Sequence, residues 1–215
     1  MRSFSIPVLI VAALFAANAA PSAAQQQSWI FMTHAAFFAD VTQGGDPIDP
    51  HVFVRDPSAS AGSGPESVQH VAGFRPEDQA TDDHTSPLYN AEGKPLGFNI
   101  GQWLNSAGTV DAASSGMGDL LHFGFTGLAQ SGHYDMFRLN PTTGAISPLD
   151  GAGTSNGFTA SSLGTADLYV TTPAHITTFD RILLIYNSDG MDHPTQPGAF
   201  GVHSHIELVL RVHLV

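Results

Sequence analysis

Residues 181–215 read RILLIYNSDGMDHPTQPGAFGVHSHIELVLRVHLV. Two strand-like runs, Arg181–Tyr186 and Val202–Val215, flank a loop rich in Gly, Pro, Asp and His. The second run alternates. Val202, Ser204, Ile206, Leu208, Leu210, Val212 and Leu214 fall on one side; His203, His205, Glu207, Val209, Arg211, His213 and Val215 fall on the other. Side chains two apart on a strand share a face. The spacing therefore predicts Leu208 in the core and a row of His203, His205 and Glu207 pointing away from it. Asp189, Asp192 and His193 sit in the loop that feeds this strand.

Working back along the chain, short apolar runs recur between Gly, Pro and Asn turns. Gly118–Phe125 puts Leu121, Phe123 and Phe125 on one face, and His133–Leu139 follows as the next strand, stopped by Asn140-Pro141-Thr142-Thr143-Gly144. Phe158–Ser161 and Ala166–Val170 read as a pair around Ser162–Thr165, and Leu96–Trp103 reads as a strand. Ser28–Val41 is apolar on both sides and aromatic-rich, which predicts a strand buried on both faces. His51–Arg55 is a further short strand. Ala107–Ser115 offers at most a turn or two of helix, weakened by Gly108. No internal repeat is visible.

Short strands spaced by turn residues predict an all-β domain, an antiparallel β-sandwich of immunoglobulin-like or jelly-roll-like form. Residues 56–95 interrupt it. They are dense in Pro, Gly, Ser, Asp and Glu and predict a long irregular excursion, with one short strand near Val68–Phe74. Asp78, Asp82, Asp83 and His84 cluster there without the spacing of a calcium loop. The order Leu120–Leu128, His133–Leu139, Gly157–Ala160 and Ala166–Val170, with its Gly-Leu and Gly-x-Tyr hairpin, resembles immunoglobulin-like modules of bacterial exported and anti-sigma proteins. That resemblance spans about a quarter of the chain and implies fold alone.

The chain begins with Arg2, an apolar run Ile6–Ala17 broken only by Pro7, and Ser22-Ala23-Ala24. This pattern predicts a secretory signal peptide over residues 1–24, leaving 25–215 as a single exported domain, periplasmic or extracellular. The apolar run is too short to span a bilayer. Seven basic and 19 acidic residues give a net charge of −12. Such a surface repels nucleic acid and anionic membranes and attracts cations. With no cysteine, disulfides, thiol nucleophiles, cysteine-ligated zinc, type-1 copper and iron–sulfur clusters are excluded, so the core alone must hold the fold.

The H-E-x-x-H, P-loop and dinucleotide fingerprints are absent. The chemistry-bearing stretch is the His-rich C-terminal one. A His-x-His pair on a strand sets two imidazoles about 6–7 Å apart at Cα, close enough to share an ion. His193, His203 and His205 are thus the candidate metal ligands, with Asp189, Asp192 and Glu207 able to complete or orient them. Such a set suits one divalent transition metal: zinc, copper, manganese or iron. The alternative is a solvated strand face. The expected function is a non-catalytic binding or surface-structural module. A metal-dependent hydrolase or oxidoreductase and a carbohydrate-binding module using Trp29, Trp103 and the tyrosines are the alternatives.

Overall fold

Alternating apolar residues in the second half of the chain build two sheets that face each other across one core. The structure, a computed structural model, describes residues 27–41, 49–56, 58, 64–71, 84–114, 116–176 and 181–211. The segment 1–24, the turn at residues 44–47, Asp78, Asp82 and Asp83, and His213 lie outside the described residues. In chain order the elements are β1 (Gln27–Ile30), β2 (Met32–Thr33), α1 (His34–Val41), β3 (Asp49–Arg55), β4 (Val68–Val71), β5 (Pro87–Tyr89), β6 (Pro95–Asn99), α2 (Ile100–Leu104), β7 (Ala107–Ser114), β8 (Asp119–Thr126), β9 (His133–Leu139), β10 (Ile146–Pro148), β11 (Gly157–Thr159), β12 (Ala166–Thr171), β13 (Arg181–Asn187) and β14 (Ser204–Arg211).

One sheet has the order β1-β7-β8-β12. A second runs β10-β9-β13-β14-β2, with β11 also on β9. A third, smaller one runs β4-β3-β5-β6. Every pairing between these strands is antiparallel. The fold is an all-β sandwich. Phe123 and Phe125 from the first sheet meet Met136, Leu184 and Leu208 from the second, with Phe31 edge-on to Phe125 at 5.2 Å. Each such side chain contributes about 1.5–3 kcal/mol by leaving water, so this layer stabilises the sandwich without disulfides. Val52, Leu88, Phe98, Ile100 and Trp103 form a second core against the small sheet. Leu183, Ile185, Ile206 and Val209 fill the other face of β13 and β14, where Phe37 of α1 packs against them. Strand β14 is therefore buried on both faces rather than presenting a wet one.

Several sequence expectations change. Ser28–Val41 is not one strand: it breaks after β2 into α1. Alanine favours helix, and the Thr33 hydroxyl caps it by accepting the Ala36 N–H at 3.2 Å. The Leu96–Trp103 run likewise stops at Asn99, where a capping box with Gln102 starts α2. Ala107–Ser114 is a full strand, with Val110 and Ala112 facing the core. Strands β11 and β12 do not pair with each other but with β9 and β8 respectively. The described part of 56–95 supplies β4 and β5, two strands of the small sheet.

Candidate functional site

Strand β14 starts at Ser204, so His203 belongs to the preceding turn, not to the strand. His203 is exposed while His205 is fully buried. His205 pairs with Tyr186 of β13. Its Nδ1 lies 2.6 Å from the His51 carbonyl and its Nε2 lies 3.0 Å from Ser188 Oγ. A carbonyl only accepts, so Nδ1 carries the proton and Nε2 is the acceptor. Burial lowers the pKa of this imidazole and keeps it neutral, against the opposing pull of the His51 carbonyl.

His193 and His203 both approach Asp189, with Nε2 at 2.9 Å and Nδ1 at 4.0 Å from Oδ2. Burial raises the Asp189 pKa, but hydrogen bonds from His193 and the Met191 N–H outweigh it and hold the carboxyl below its usual range. The expected trio is thus divided. Two of its histidines share a carboxylate near the surface, and the third turns inward to hold β3. Asp192 pairs with His133 at 2.8 Å instead of joining them.

Glu207 also faces inward, and so does Leu208, contrary to the alternation read from sequence. The register between β13 and β14 shifts at Leu184/Ile185: Ile206 is opposite Ile185 and Leu208 opposite Leu184. Glu207 is the extra residue of a β-bulge. It is 0 % exposed. Tyr134 accepts the Ala129 N–H at 2.8 Å and donates to Glu207 Oε2 at 2.9 Å. Ser106 Oγ bonds both Glu207 Oε1 and, at 3.1 Å, the Gly127 carbonyl. Ser106 has one proton for two acceptors. A proton on Glu207 resolves this by donating to Ser106, which then donates to Gly127. Burial raises the Glu207 pKa to about 7, with the Ser106 and Tyr134 hydrogen bonds pulling the other way.

This network underlies a groove. A cavity of about 550 Å³ is bounded by Leu96, Phe98, Gln102, Asn105, Gln130 and Tyr186, with Gly127–Ala129 as one wall. That volume is in the range of small-molecule sites. Its lining carries no Asp, Glu, Lys, Arg or His. Phe98 meets Tyr186 edge-on at 5.2 Å, and Tyr186 donates to the Leu96 carbonyl at 3.1 Å. Ser106 and Tyr134 tie the Gly127–Ala129 wall to Glu207 from beneath.

Among the described residues, one group of His, Asp or Glu brings three potential ligand atoms within 4.8 Å of one another: His34, Asp49 and His51. Sequence spacing does not join His34 to the other two, because its run is apolar on both sides and the break into α1 alone brings it to β3. The Asp49-x-His51 spacing was the available signal, the same two-residue step that drew attention to His203 and His205. No protein-family model, curated protein or solved structure matches the chain.

Proposed function

We propose that this is an exported, non-catalytic β-sandwich that binds an uncharged, hydroxyl-rich small molecule of saccharide type in the groove between Phe98 and Gln130. The observation that carries this reading is a cavity without charged side chains on a chain of net charge −12. A charged ligand would find no counter-ion there. The half-buried Tyr186 ring and the exposed amides of Gln102, Asn105 and Gln130 suit a ligand with apolar faces and hydroxyl edges. Leu163, 81 % exposed, adds apolar surface at the rim. Export is supported by the charge, apolar run and small residues of positions 1–24.

Calorimetric titration with neutral disaccharides and their uronic-acid counterparts tests this. Neutral sugars should bind saturably and charged ones should not. Gln130→Ala should weaken binding about tenfold, near the worth of one hydrogen bond, without lowering the melting temperature. Absence of binding by any neutral sugar, or equal binding by the Gln130 variant, would sink the reading. Exported protein should begin near Gln25; finding Met1 retained would overturn the export half.

A further inference from the structure

We propose that His34, Asp49 and His51 form a binding site for one divalent transition-metal ion, independent of the groove. Two elements build it. His34 opens α1, directly after β2, while Asp49 and His51 stand two residues apart on β3. The His34 and His51 rings stack nearly parallel, with centroids 5.0 Å apart and planes at 6°. The ligand atoms of all three residues lie within 4.8 Å of one another.

The spacing matches coordination. Two donors about 2.0–2.2 Å from a tetrahedral ion stand about 3.3–3.6 Å apart. His34 Nδ1 and Asp49 Oδ1 are 3.2 Å apart, so an ion entering beside them needs only a small outward shift of either group.

Charge points the same way. Asp49 is 0 % exposed. Its described partners are His34, the His51 N–H at 3.0 Å and the Trp103 indole N–H at 3.2 Å. None of these is a lysine or arginine. A buried carboxylate is stabilised by a nearby positive charge, which a divalent ion held by Asp49 and the two imidazoles would supply.

The ligands are also held from behind. Trp103 donates to Asp49 Oδ2, leaving Oδ1 toward the rings. The neutral, buried His205 donates to the His51 carbonyl, and Phe200 stacks on the outer face of the His51 ring at 4.9 Å. Such supporting contacts tune a metal site through its ligands. His51 is half-buried, and a water would complete a four-coordinate ion. Two imidazoles and one carboxylate suit zinc, copper(II), manganese or iron, and the acidic surface raises the local concentration of such ions.

The test is calorimetric titration of the chelator-treated protein with Zn²⁺, Cu²⁺ and Mn²⁺, followed by melting. One ion should bind per chain and raise the melting temperature. His34→Ala and His51→Ala should each weaken binding by more than about 100-fold, beyond the range seen for loss of a supporting contact, and Trp103→Phe by about tenfold. His193→Ala and His203→Ala should bind as the unsubstituted protein does. Selective Mn²⁺ broadening of the His34 and His51 ring resonances reads the same site with no substitution. Failure of all three ions to bind, unchanged binding in the His34 and His51 variants, or broadening centred on His193 and His203 would each overturn the proposal.

Discussion

The Tyr134 hydroxyl donates to Glu207 Oε2 at 2.9 Å, and both residues are 0 % exposed. A carboxyl so placed ties folding stability to pH. Its pKa rises from the usual 4.5 to about 7 in the fold. Between these pH values the folded chain keeps a proton that the unfolded chain has released. Stability should therefore fall as pH rises from about 4.5 to 7, by about 3 kcal/mol from this group. Glu207→Gln, neutral at every pH, should flatten that part of the profile and melt above the unsubstituted protein at pH 8. Urea denaturation across this window gives the answer; equal slopes for the two proteins would refute a neutral Glu207.

Tyr134→Phe removes one hydroxyl and leaves both the Ala129 N–H and Glu207 Oε2 without it. The expected cost is about 1–3 kcal/mol, the range for leaving a buried polar group unsatisfied. Amide exchange at Ala129 should speed up more than exchange in β12. Uniform exchange changes across the sandwich would show that Tyr134 acts only through packing.

The two ends of the alternation in β14 can be compared directly. Leu208→Ala should cost about 2–5 kcal/mol, as for other emptied core leucine sites. Glu207→Ala should also cost measurably, about 1–3 kcal/mol at pH 5, because Tyr134 and Ser106 lose a buried partner. A Glu207→Ala chain as stable at pH 5 as the unsubstituted one would restore the solvent-facing assignment.

Gly164 has φ +69°, and a Cβ there would stand 2.3 Å from the Leu128 carbonyl oxygen. Backbone cannot yield as a flexible side chain can, and the left-handed conformation adds strain. Gly164→Ala should lower the melting temperature and displace the Leu128 wall of the groove. An unshifted melt would show that the Ser161–Thr165 turn is free to move.

Much of this fold was legible because burial on one face leaves a period of two. Leu121, Phe123 and Phe125 marked β8, and the runs at 133–139 and 181–186 marked β9 and β13 at nearly their observed limits. The pattern failed where both faces are buried or a local interaction overrides it. Ser28–Val41 is apolar on both sides whether strand or helix, and the Thr33 cap that starts α1 is one hydrogen bond. The β-bulge at Glu207 leaves no mark in the alternation, yet it turns Leu208 to the same side as Glu207. The His-rich end was legible as polar residues in an apolar strand. That His205 would hold the His51 carbonyl depends on pairing across 154 positions, which no local spacing encodes.

The most direct measurement for the binding account is amide chemical-shift mapping during titration of the purified protein with a neutral disaccharide. The account predicts saturable shifts confined to Gly97, Gln102, Asn105 and Gly127–Gln130, the boundary of the groove. Shifts centred instead on the outer face of the β7-β8-β12 sheet, where Tyr169 stacks on His122 beside Asp167, would contradict it and move the binding site to that face.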